Sequence, residues 1–239
     1  GCLMTSAGWG HQAIVGGHFA RLGVSFPHAE AVLREAAIRC WVPLELEGEL
    51  ADREGLVVTG VEGMARAISR SPADAVAQGS SLEALQGAAI AALELVRRAP
   101  DLRAIHGVTY AREVLEWATV APVHPAHAQR LLSFVGGGWE RGRRDRRVRG
   151  ASSQIHGGDL LVDTHADWAE TVGELCRIEL RPGFAHNVKI AECCAALADL
   201  LPGRFAPLAL DAMAATVPAW SRSRRPWMVL KGALRPAGV

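Results

Sequence analysis

Between Ser81 and Arg98 the apolar residues Leu82, Leu85, Ala89, Ala92, Leu93 and Val96 recur at three- and four-residue spacing. That is the period of one buried helix face, and it excludes a half-buried strand, whose apolar residues alternate. The same period returns along the chain. His11, Ile14, Val15, His18 and Leu22 make a stripe over residues 10–22, closed by Gly23. A second helix is predicted from Ser25, with Pro27 in its first turn, through Ala31, Leu33, Ala36 and Ile38 to Trp41. Others are predicted over 61–71, 101–120 (His106, Tyr110, Val114 and Trp117 in line), 124–134, 159–178, 184–201 and 205–220. Strand signals are few; Leu56-Val57-Val58 is too short and isolated to seed a sheet. The expected fold class is all-α: a single multi-helix, bundle-like domain over residues 1–239.

Breaks between the helices come from proline and glycine. Pro43, Ser71-Pro72, Pro100-Asp101 and Pro202-Gly203 each end a period, and Gly136-Gly137-Gly138 is expected to end the helix begun at Pro125. Beyond the glycines, residues 139–151 hold six arginines (Arg141, Arg143, Arg144, Arg146, Arg147, Arg149) and little apolar content. They are expected to form a flexible solvated loop, with an anion or phosphate patch as the sharper alternative. The Arg/Pro-rich tail, 221–239, is expected to dock through Trp227 to Leu230.

The net charge of +1 gives no overall attraction to nucleic acid or to an acidic membrane surface, so nucleic acid is an unlikely partner. No apolar run reaches the length of a membrane span. No charged segment leads into an apolar one in the manner of a secretory leader, so a cytoplasmic setting is expected. Cysteine usage agrees. Five cysteines (Cys2, Cys40, Cys176, Cys193, Cys194) form neither a C-x-x-C motif nor a disulfide framework, which fits free thiols in a reducing compartment.

Chemistry concentrates in Pro182-Gly183-Phe184-Ala185-His186-Asn187-Val188-Lys189, at the start of a predicted helix. His186 and Lys189, three apart, share a helix face. Of 26 basic residues only Lys189 and Lys231 are lysines. A lysine retained among Phe, Val, Ile, Ala and Cys has two readings: a side chain whose head reaches water, or an amine whose ability to lose its proton is needed, which arginine cannot supply. Nine histidines are dispersed without a local metal motif, so any metal site must be assembled from distant helices. His11, His18, His106, His156, His165 and His186 are the candidates, because each lies on or beside an apolar helix face. Tyr110 and Trp117 are candidates for lining a substrate pocket, or else core aromatics.

Three separated segments, in order, resemble the questin oxidase-like family. Gly10-His11-Gln12-Ala13 through Arg21-Leu22-Gly23 resembles its Asn-His-Gly-Pro-Met-Ala run leading to Arg-Leu-Gly. Ile105-His106-Gly107-Val108-Thr109-Tyr110-Ala111-Arg112-Glu113-Val114 is similar to its second histidine helix. His186-Asn187-Val188-Lys189 followed by Ala191-Glu192-Cys193-Cys194 is similar to its His-x-x-Lys-x-x-Glu-Ala-Cys helix. Ile155-His156-Gly157-Gly158 agrees with a further family motif only at the histidine, and His165 competes for that place. The chain lacks much of the family's stretch between the second and third motifs, so it resembles a shortened member.

The resemblance implies a non-haem iron oxygenase that uses O2 to oxidise or open a ring of a polycyclic phenolic or quinonoid natural product. It implies Fe(II) held by His11, His106, His156, His186 and Lys189, with Lys189 carrying a CO2-derived carbamate. A carbamate is an anionic oxygen donor, and it forms only on a neutral amine. The alternative is a metal-free helical binding or accessory protein on the same scaffold.

Overall fold

The computed structural model describes residue 31 and residues 60–71, 82–120, 123, 125–145, 154–156, 158–164, 166–179 and 186–221. Among them are seven α-helices and no strand, an all-α bundle as the periodicity predicts. The helices are α1 Gly60–Arg70, α2 Leu82–Arg98, α3 Leu102–Val120, α4 Pro125–Arg144, α5 Trp168–Glu179, α6 His186–Leu200 and α7 Ala206–Ser221, the last led by a 3-10 turn at Gly203–Phe205. None of these is long and apolar enough to cross a membrane. The predicted helix over 10–22, that over 25–41 apart from the helical Ala31, the segment 56–58 and the tail 221–239 (beyond Ser221) lie outside the described residues.

Helix α2 is the centre. Its residues Ala84, Leu85 and Gly87 through Val96 are all buried, so every face of it is covered. A helix this enclosed needs neighbours that approach closely, and small residues allow it. A Cβ on Gly87 would fall 2.6 Å from Met64 Cβ of α1, and one on Gly138 would fall 2.8 Å from Leu95 Cδ2. Glu94, fully buried, is neutralised by Arg97 (Nε 2.6 Å) and Arg98 (Nε 2.5 Å) from the next turn.

Gly136-Gly137-Gly138 does not end α4; the helix continues to Arg144. Two contacts outweigh the glycines' weak helix propensity. Trp139 is fully buried and donates Nε1–H to Ala91 O of α2 at 3.0 Å. Arg143 donates to the carbonyls of Ser69 and Arg70, satisfying the free C-terminal end of α1. The predicted arginine loop at 139–151 is therefore helical through Arg144, with Arg141 and Arg144 exposed and Arg143 half-buried.

The predicted helix over 159–178 starts later, at Trp168. Asp167 sets this start: its Oδ1 accepts from Glu170 N at 2.9 Å in an N-cap. Upstream, Gly158 has φ +89°, and the chain turns, Asp159 N donating to His156 O (3.3 Å) and Leu161 N to Gly158 O (3.1 Å). Distant partners pin this turn to the ends of α1 and α2. Ile155 N donates to Ser69 Oγ at 3.0 Å, and Arg98 reaches Gln154 O (3.0 Å) and Asp159 Oδ2 (2.8 Å).

Candidate metal centre

Helices α3 and α6 pack in parallel. His106 of α3 lies beside His186 of α6, and six residues further along each helix Arg112 Nη2 meets Glu192 Oε1 at 2.8 Å. The rise of a helix puts these two crossings roughly 9 Å apart along one seam.

At the upper crossing the imidazole centroids are 5.2 Å apart and tilted by 54°. His106 is 6 % exposed. Its Nδ1 donates to Leu102 O, one turn back, at 2.6 Å. In a neutral ring that places the lone pair on Nε2, and a backbone carbonyl holding the other nitrogen is the usual support of a metal-ligating histidine. Asp101 makes the local helix regular by capping it, Oδ1 accepting from Ala104 N at 2.8 Å. His186 is half-buried with its Nδ1 enclosed. Lys189, one turn on, is half-buried between His186 and Glu192. Asn187 points away from the seam and donates Nδ2–H to Leu175 O of α5 at 3.3 Å, which fixes the rotation of α6.

The lower crossing is an ion cluster. Arg112, 5 % exposed, binds Glu113 Oε1 and Glu116 Oε2 at 2.8 Å each besides Glu192. Glu113 is 1 % exposed. Cys193 Sγ donates to Glu192 Oε2 at 3.3 Å. Burial, and then the neighbouring Glu192, push the Cys193 thiol well above its ordinary pKa; burial alone raises Cys194. Both are inert thiols rather than nucleophiles. This cluster was missed in the sequence, although the Arg112–Glu116 spacing of four was visible.

The other predicted residues fall elsewhere. His156 is exposed, in the turn held by Arg98 and Asp159. Burial alone would raise the Asp159 carboxyl; the His156 N–H and Arg98 outweigh it and hold it below the usual carboxylate value. Tyr110 is 5 % exposed and packs edge-on against Phe134 of α4, 6.3 Å between centroids, which makes it core at the α3–α4 contact. Trp117 is half-buried three turns beyond His106. His11, His18 and His165 lie outside the described residues.

Among the described residues no group of three His, Cys, Asp or Glu side chains converges as a metal site. The predicted donors therefore fit an iron in part: two imidazoles, one with its ligating nitrogen selected, and a lysine one turn away that supplies oxygen once carboxylated. Neutral imidazole and anionic oxygen suit Fe(II). No family model, curated protein or solved structure matches the chain.

Proposed function

We propose that the chain is an Fe(II)- and O2-dependent oxygenase that oxidises or opens a ring of a polycyclic phenolic or quinonoid substrate in the cytoplasm. The observation that carries this reading is the meeting of His106 and His186 at 5.2 Å, two of the ligands expected from separated motifs. His106, His186 and Lys189 would hold the metal, with His11 a further ligand from outside the described residues. Iron would supply O2 activation.

The chain's own residues do the rest. Leu102 O fixes the His106 tautomer and aims Nε2 away from its own helix. The Arg112–Glu192 pair sets the register that lets the two imidazoles meet. Lys189, one turn from His186 on the same helix, carries the amine on which the carbamate would form.

Anaerobic Fe(II) reconstitution, metal analysis and oxygen uptake with a polycyclic phenol test the proposal. Wild type should take up iron and consume O2, and Lys189→Arg should do neither. A Lys189→Arg protein with full iron content and activity would sink the carbamate. The second reading, a metal-free binding or accessory protein, is favoured by the exposed position of His156. It predicts no metal in the purified protein and no thermal shift with Fe(II).

A further inference from the structure

Helices α3 and α4 run antiparallel. Arg103 lies over Phe134 and Gly137, Gly107 faces Phe134 and Val135, and Tyr110 meets Phe134. On α4, Arg130, Phe134, Gly137 and Arg141 follow one another at spacings of four, three and four, which is one helix face. The seam therefore has an arginine at each end of that face and Arg103 across its middle.

Arg103 is held in an unusual way. Its guanidinium carbon sits 4.9 Å from the Phe134 ring centre, a cation–π contact. Its Nε is buried without a hydrogen-bond acceptor. Gly137 leaves the room it needs: a Cβ there would lie 3.3 Å from Arg103 Nη2. Arg141 stands one turn further along the same face. Burial, and then the charge of Arg141, lower the Arg103 pKa, with Asp101 opposing. Asp101 is already the N-cap of α3, and Asp145 meets Arg141 only at 4.0 Å, with both side chains partly in water. At the far end of the seam the charge of Arg130 opposes the burial that raises the Tyr110 phenol.

We propose that Arg103 and Arg141 form a seat for a small oxyanion, the phosphate or carboxylate group of a ligand. A planar guanidinium pre-oriented on an aromatic face loses little freedom when it binds two oxygens, and a second guanidinium one turn away closes the pair. The seat is independent of the histidine pair, which lies on the α6 side of α3.

Inorganic phosphate is the probe, titrated calorimetrically and by thermal shift against potassium chloride of equal ionic strength, with acetate as the carboxylate arm. Phosphate should raise Tm and bind saturably, and Arg103→Gln and Arg141→Gln should each weaken binding at least tenfold. Arg177→Gln, an exposed arginine on α5, should leave it unchanged. Acetate binding lost in the same two variants assigns a carboxylate ligand; binding of phosphate alone assigns a phosphate ester. Arg141 is exposed, so its variant keeps the test valid should Arg103→Gln unfold the helix pair. No saturable binding, or an equal effect of Arg177→Gln, would overturn the seat.

Discussion

Arg112 donates from Nη2 to the Glu192 carboxylate at 2.8 Å, and this contact ties α3 to α6 below the histidine pair. The two partners are not equivalent. Arg112 is 5 % exposed and also neutralises Glu113, which is 1 % exposed, whereas the Glu192 side chain is 45 % exposed. Arg112→Leu removes a cation bound to the buried Glu113 carboxylate and should cost about 3–5 kcal/mol. Glu192→Gln trades a solvated charge for an amide and should cost under about 1 kcal/mol. Urea unfolding of the two variants measures both. Equal costs would show that the cluster is solvated rather than buried.

Tyr110 is the chain's single tyrosine, so its ionisation can be followed without interference. Burial, opposed by Arg130, pushes its phenol up to about 12. The folded value lies above the unfolded value of about 10. The neutral phenol's contribution to stability is therefore complete below pH ~10 and is lost as pH rises from there through the folded value. Tyrosinate absorbance should rise near pH 12 in native protein and near pH 10 in urea, and Tyr110→Phe should flatten the alkaline fall in stability between those limits. Native titration at the unfolded value would place the ring in water.

Two helical glycines should respond to alanine with opposite signs. At Gly87 the new Cβ meets Met64 Cβ at 2.6 Å and Val61 O at 3.0 Å, so Gly87→Ala must push α1 from α2 and should cost ~1–3 kcal/mol. At Gly173, in α5, nothing lies within 4 Å, and the gain in helix propensity should stabilise by ~0.5–1 kcal/mol. Thermal denaturation of the pair reads both signs, and a stabilised Gly87→Ala would mean that the helices are looser than these contacts.

The bundle was legible because helix period is a local property: Leu82 through Val96 announce α2 wherever its neighbours lie. Failures came where a distant contact decided. Gly136-Gly137-Gly138 reads as a stop, yet Trp139 on Ala91 and Arg143 on the end of α1 carry the helix onward. Leu160, Leu161 and Trp168 read as one helix, yet Arg98 holds Asp159 in a turn. For the site, spacing of His186 and Lys189 was visible in four residues, while the nearness of His186 to His106 is a property of the α3–α6 seam and came only through resemblance. The ion cluster below them was hidden because Arg112 and Glu192 are eighty residues apart in the chain.

The same seam separates the histidines by expected effect on metal binding. His106 is buried, its tautomer is fixed by Leu102 O, and its ring meets His186 at 5.2 Å. His156 is exposed, in a turn where its backbone N–H donates to Asp159 Oδ2 at 2.8 Å and Asp159 binds Arg98. Loss of a ligand should weaken metal affinity at least as much as the ~10–100-fold that loss of a supporting group costs. His106→Ala and His186→Ala should therefore each lose iron by that factor or more, and His156→Ala should keep its iron content. Competitive chelator titration of the three variants against wild type gives the ratios directly. Iron loss in His156→Ala equal to that in His106→Ala would mean that the turn at 155–159 moves onto the α3–α6 seam when metal binds, and His156 would then stand among the ligands.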